Sequence, residues 1–150
     1  MKIISKPYNL LLVDDQEEIV TITSDMIQKI YGKDEFNIIC ATNPQDALEQ
    51  LEKNIFHILI SDILMPEMPG DELIRKAMSM GKGTQCIVIT SDSMITTVIN
   101  AYNDGAVAFI AKPIDKVKLK NALDLCLGRL NYWAKSLSQN LAQKRKQEEE

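Results

Sequence analysis

The 150-residue sequence predicts an α/β fold in which a parallel sheet carries helices on both faces. Three observations point there. Five short runs rich in Ile, Leu and Val alternate with longer segments of helical periodicity. The runs are apolar at nearly every position, not at every second one, which is the pattern of strands covered on both faces. Glycines and a proline also punctuate the longer segments where helices begin and stop. Right-handed crossovers then leave few topologies open, and there is no internal repeat.

In chain order, Tyr8–Val13 reads as the first strand and Glu17–Ile30 as the first helix, with Gly32 after it. Phe36–Ala41 is the second strand. Pro44–Asn54 is the second helix, where Asn43 can cap the free N–H groups and Pro44 falls in the first turn, where a missing donor costs nothing. Ile58–Ile60 and Cys86–Ile89 are strands flanking a helix at Asp71–Met80, which Gly81 follows. A fourth helix at Met94–Asn103 is followed by Gly105, and Val107–Ala111 is the last strand. From Asp115 onward there is no proline and one glycine, Gly128. Leu123, Leu127, Leu130, Ala134, Leu137 and Leu141 recur at heptad spacing, a narrower seam than a helix lying on a sheet requires. Leu123–Lys144 would span about 33 Å as a helix. Two uses compete for the seam: covering its own domain, or pairing with a second copy. A parallel homodimer is the favoured reading, with Trp133 beside the seam suiting either. The expected division is a globular unit at 8–128 and a helical extension at 129–150, the latter a coiled coil or a linker to an output domain absent from these residues.

Composition excludes several classes. With 45% hydrophobic and 25% charged residues, the chain is neither disordered, nor collagen-like, nor a disulfide-stapled miniprotein. Seventeen Lys and Arg against 21 Asp and Glu give a net charge of −4, which offers no electrostatic case for direct nucleic-acid binding. Cys40, Cys86 and Cys126 are an odd number, each within an apolar run, and read as buried free thiols of a reducing compartment. Asp14 and Asp15 interrupt the first apolar run, so no signal-peptide core forms, and Ala106–Ala111 is far too short to span a bilayer. A cytoplasmic protein with no membrane contact is expected.

The ends of the strands carry the chemistry. In an open parallel sheet, sites form beyond the carboxyl ends of the strands, where strand order reverses. Asp14 and Asp15 close the first run, Asp62 follows the third, Thr90 the fourth and Lys112 the fifth. Three carboxylates in one pocket repel unless a cation neutralises them. Mg²⁺ fits best, since it uses few carboxylates, keeps waters and accepts phosphate oxygens. A carboxylate beside Mg²⁺ and an ammonium can attack a phosphoryl donor to give an aspartyl phosphate, and a threonine hydroxyl can donate to the product.

The motifs Val13–Asp15 (VDD), Ser61–Gly70 (SDILMPEMPG), Val88–Ser91 (VITS) and Phe109–Pro113 (FIAKP) together resemble the receiver domain of two-component response regulators, from about Asn9 to Leu127. The resemblance implies the doubly wound five-stranded sheet of flavodoxin-like order 2-1-3-4-5, with an extended C-terminal helix. It implies Asp62 as phosphoacceptor, Asp15 as direct Mg²⁺ ligand with Asp14 its acidic partner, and the Leu64 carbonyl completing the protein's ligands. It further implies that Lys112 pairs with the phosphate, before a cis bond to Pro113, and that Thr90 is the switch hydroxyl and Phe109 the switch aromatic. The phosphoryl donor would be a sensor histidine kinase or a histidine phosphotransfer protein. Ser91 stands where the family commonly has alanine or glycine, Phe109 lacks the hydroxyl of tyrosine, and Leu64 and Asp92 occupy positions that tune phosphoryl lifetime.

Other readings remain beside this one. The acidic cluster can be vestigial on a dimerisation scaffold. Asp62 can also serve a phosphatase, although no cap domain or substrate-selecting insertion is evident. His57, the single histidine, reads as an ordinary strand-edge residue. Gly81-Lys82-Gly83-Thr84 lacks the spacing of a phosphate-binding loop and precedes a strand, and Lys144-Arg145-Lys146 reads as a solvated helix face. Either the chain acts alone through protein contacts, or its long helix leads on to an effector.

Overall fold

Successive side chains of a strand point to opposite faces, so a run that is apolar throughout supplies two cores. In the computed structural model of the chain, which describes residues 5–68, 70–91 and 94–150, it does so. Strands β1 (Tyr8–Val13), β2 (Phe36–Ala41), β3 (Ile58–Asp62), β4 (Gln85–Thr90) and β5 (Ala106–Ala111) form one parallel sheet in the order β2-β1-β3-β4-β5. Leu10, Leu12, Ile58, Ile60, Ile87 and Ile89 face α1 (Glu17–Tyr31) and α5 (Lys116–Glu149). Leu11, Val13, Leu59, Cys86 and Val88 face α2 (Pro44–Lys53), α3 (Gly70–Ser79) and α4 (Ile95–Asn103). The predicted doubly wound fold is therefore the one formed, with element ends shifted by one or two residues.

The local signals act as expected. Asn43 Oδ1 accepts from Asp46 N–H at 2.8 Å and opens α2. Gly105 follows α4 at φ +103°, and a Cβ there would lie 3.2 Å from Met78 Cε. Lys82 donates to the carbonyls of Leu51 (2.6 Å) and Glu52 (2.9 Å), so the ammonium of the glycine-flanked loop closes the end of α2.

Three expectations are corrected. The edge strands are not covered on both faces: Asn37 and Cys40 of β2 are exposed, and most of β5 is only half-buried. An edge strand has one strand neighbour, and the flanking helices do not reach across its outer side. Cys40 is accordingly an exposed thiol. Cys86 and Cys126 are buried, and burial pushes each thiol up to about 12. They lie on opposite faces of the sheet. His57 is no edge residue either. It is buried just before central β3, its Nδ1 accepts from Asn9 N–H at 2.9 Å, and its ring meets Tyr8 edge-on.

Helix α5 runs through residues 128–129 without a break. Asp115 Oδ1 caps it, accepting from Lys118 N–H at 2.8 Å. Leu119, Ala122, Leu123, Cys126, Leu127 and Leu130 are buried against the domain, while Trp133 and Leu141 are exposed. The upper half of the heptad seam thus covers its own domain. Tyr31 pins α1 to this helix: its hydroxyl donates to Asp124 Oδ1 at 2.7 Å. Burial, then this hydrogen bond, raise the phenol well above its usual 10.0. Because the folded pKa is the higher one, the stabilisation is fully present below pH 10 and is lost as pH rises through the folded value. Tyr31→Phe is expected to cost about 0.5–1 kcal/mol at pH 7 in urea unfolding, a typical net hydrogen bond. The variant should also lose less stability than the parent above pH 10.

Candidate functional site

The register of the sheet assembles the site. Val13 pairs with Ser61, Asp62 with Ile89, and Thr90 with Ala111. The next residue of β1 is therefore level with Asp62, and the residue after β5 is level with the end of β4. This is where strand order reverses, at the carboxyl ends of β1 and β3, and backbone that stops pairing there leaves a crevice. Asp62 and Thr90 are the last residues of their strands, which run two residues and one residue further than the apolar runs alone indicate.

Asp14 and Asp62 are both buried, 2% and 3% exposed. Lys112 Nζ lies 2.9 Å from Asp14 Oδ2 and 2.9 Å from Asp62 Oδ2. Backbone donors hold the other oxygens: Gln16 N–H gives 2.9 Å to Asp14 Oδ1, and Leu64 N–H gives 2.9 Å to Asp62 Oδ1. Burial raises the Asp62 carboxyl above its ordinary value; Lys112 and the Leu64 N–H oppose this, and the Asp14 charge adds to it. Burial lowers the Lys112 ammonium, but the hydrogen bonds from it to Asp62 and Asp14 outweigh that effect, and its pKa lies above the usual one. The ammonium is therefore a fixed positive charge beside two buried carboxylates.

Asp15 is exposed, yet one carboxylate oxygen from each of Asp14, Asp15 and Asp62 lies within 4.8 Å of the others. Three hard oxygen donors at that spacing, two of them desolvated, match the ligand chemistry of a small divalent cation. Thr90 is fully buried, and its carbonyl accepts from Lys112 N–H at 2.9 Å, fixing the lysine backbone beside the strand end. Lys112–Pro113 is cis. Phe109 packs half-buried against the α2–α3–α4 core and, with Val98, Ala101 and Tyr102, lines a cavity of about 130 Å³ under α4. The Leu64 side chain is exposed while its N–H turns inward. Ser91 is exposed beside Thr90, and Asp92 lies outside the described residues.

Thus the structure gathers Asp14, Asp15, Asp62 and Lys112 at one point, with Thr90 adjoining and Phe109 further along β5. Sequence reading missed the lysine bridging two carboxylates at once and the backbone donors of Gln16 and Leu64. Backbone donors leave no side-chain signal. The double bridge depends on lysine reach across two strands, which spacing does not encode.

An open parallel sheet with an acidic pocket and a lysine at its switch point defines the class of domain. A family model for the response regulator receiver domain matches residues 10–124, and the chain belongs to that family. Among curated proteins it is 34% identical over 114 residues to the "Probable transcriptional regulator ycf29" of Porphyra purpurea, covering 75% of this chain and 53% of that protein. It is 26% identical over 119 residues to the transcriptional regulatory protein ZraR of Salmonella typhimurium, covering 79% of this chain and 26% of that one. The chain thus spans about half, or about a quarter, of these relatives. Among solved structures, a CheY-like receiver domain protein from Methanospirillum hungatei superposes with TM-score 0.75 at 25% identity, over 83% of this chain and 97% of that one. The receiver domain of an HD domain-containing protein from Pseudomonas fluorescens gives 0.73 at 25%, over 83% and 98%. No helix among the described residues is long and apolar enough to cross a membrane.

Proposed function

We propose that Asp62 takes a phosphoryl group from a phosphohistidine on a sensor histidine kinase or histidine phosphotransfer protein. The observation that supports this most is the Lys112 ammonium at 2.9 Å from a carboxylate that burial has made less willing to stay charged. A carboxylate oxygen of Asp62 forms the new P–O bond as the P–N bond to the donor imidazole breaks, and the imidazole leaves with the electron pair. Lys112 then pairs with a phosphoryl oxygen, with the Asp14 carboxyl group beside it. Asp14, Asp15, Asp62 and the Leu64 carbonyl would hold Mg²⁺, which would neutralise charge on the phosphoryl oxygens. Thr90 donates its hydroxyl to the product, and Phe109 follows inward, filling space under α4. Phosphorylation shifts the surface only because these contacts differ between the two states.

In this reading the chain is a cytoplasmic signalling phosphoacceptor that catalyses only its own phosphorylation and dephosphorylation. Its receiver unit is 8–128, and its extension 129–150 makes it a homodimer through the C-terminal helix. No direct nucleic-acid contact is assigned to these residues. The test is intact-mass analysis after incubation with acetyl phosphate. One phosphoryl adduct per chain with Mg²⁺, none with EDTA, and removal by hydroxylamine are expected. No adduct with Mg²⁺ would leave the scaffold reading, and release of many phosphates per chain from a generic phosphomonoester would leave the phosphatase reading.

A further inference from the structure

The apolar stripe of α5 does not stop where the domain stops. Leu119, Leu123, Cys126, Leu127 and Leu130 turn it onto α1 and the sheet. Trp133, Ala134, Leu137 and Leu141 continue it at the same helical spacing, with Trp133 59% and Leu141 46% exposed. A cavity of about 500 Å³ opens at the head of this free stretch, beneath the amino ends of β3 and β4. Phe56, His57, Arg129, Leu130 and Trp133 are among its walls. Cavity mouth and stripe therefore form one continuous surface on one side of the helix.

That continuity restricts what can cover it. The domain itself sits on the stripe side of the helix down to Leu130. A second helix laid on the stripe in parallel register would have to run its own upper half through the space the domain fills. An antiparallel helix meets no such obstacle over residues 129–149, about 30 Å of helix. Charge agrees with the geometry. Parallel register stacks Lys144–Lys146 on Lys144–Lys146 and Glu148–Glu150 on Glu148–Glu150. An antiparallel pair centred near Gln139 sets Leu137 against Leu141. It also brings the three glutamates level with Arg129, and the three cations level with Tyr132 and Trp133.

We propose that a second copy of this chain covers the free stripe as an antiparallel helix, its Glu148–Glu150 turn seated beside Arg129 at the mouth of the cavity. This rests on the homodimer reading above and reverses the direction that the heptad spacing alone favours. A parallel pair would have to use the other side of α5, where Val117, Leu125 and Tyr132 are exposed.

Spin labels in the full chain decide the matter. With Cys40→Ser in place, Cys86 and Cys126 are buried, and a label is introduced through Gln139→Cys or Glu149→Cys. The antiparallel pair gives a short interchain distance at 139 and roughly 30 Å at 149, twenty residues of helical rise. Short distances at both positions would overturn the direction while leaving a homodimer. A monomer in sedimentation at high micromolar concentration, with no interchain distance, would overturn the homodimer as well. The double variant Leu137→Glu, Leu141→Glu is expected to weaken association about tenfold or more through lost apolar burial, with unchanged circular dichroism. Arg129→Glu should weaken it too, and adding Glu148→Lys and Glu149→Lys should restore it. Association indifferent to both sets would refute the proposal.

Discussion

Asp62→Asn is expected to abolish the phosphoryl adduct altogether while changing stability by no more than about 1 kcal/mol, the scale of one hydrogen bond. An amide of the same shape keeps an oxygen for the Leu64 N–H but is no nucleophile toward phosphorus. The neighbouring carboxylates do not replace it: Asp14 is held by Gln16 N–H and Lys112, and Asp15 is exposed away from the lysine contacts. Stability changes little because two effects oppose each other. The folded state already disfavours the charge on Asp62, so neutralising it removes a burial cost, while one charged partner of Lys112 is lost. Intact mass and urea unfolding read the two parts separately. An adduct surviving in Asp62→Asn would move the acceptor elsewhere and overturn the assignment.

Lys112→Met should slow phosphorylation by about 10²–10³, the usual consequence of removing one preorganised donor from developing phosphoryl charge. It should also destabilise the fold, in contrast to Asp62→Asn. Methionine fills the volume of the stem but leaves the buried carboxylates of Asp14 and Asp62 facing one another without a cation. Breaking a buried pair costs about 3–5 kcal/mol, and with Lys112 partly solvent-accessible about 2–3 kcal/mol is expected at pH 7. The sign with pH follows from Asp62. Its folded pKa is raised, so its penalty appears as pH rises through that value and fades as pH falls below it. The stability gap between Lys112→Met and the parent should therefore narrow on acidification from pH 7. A gap independent of pH would mean that lost packing, not unpaired charge, is responsible.

Much of this was legible in the chain. Runs such as Leu10–Val13 and Ile58–Ile60 show no alternation because both faces of the central strands are buried, and that placed the sheet between two helical layers. The carboxylates and lysine at the strand ends followed, since parallel strands all deliver their carboxyl ends to one edge. Legibility failed where a residue's environment depends on position in the sheet. Cys40 sits in an apolar run but on edge strand β2, where composition does not reveal that one side is open. His57 is polar and precedes a strand, yet the Asn9 N–H satisfies its ring and lets it be buried. The heptad seam was visible, but not that Leu123, Leu127 and Leu130 are spent on the domain while Leu137 and Leu141 remain beyond it. Periodicity records that a face is apolar, and says nothing of what it meets.

The lysine of the acidic pocket and the capping aspartate of α5 are three residues apart, Lys112 and Asp115. Beyond Leu130, the last buried residue of that helix, an unbroken rod continues to Glu149, about 28 Å further. Leverage follows from those proportions. A tilt of roughly 10° about Leu130 carries the tip about 5 Å sideways over that length. A readjustment at the pocket that tilted the rod would be enlarged mechanically at the far end.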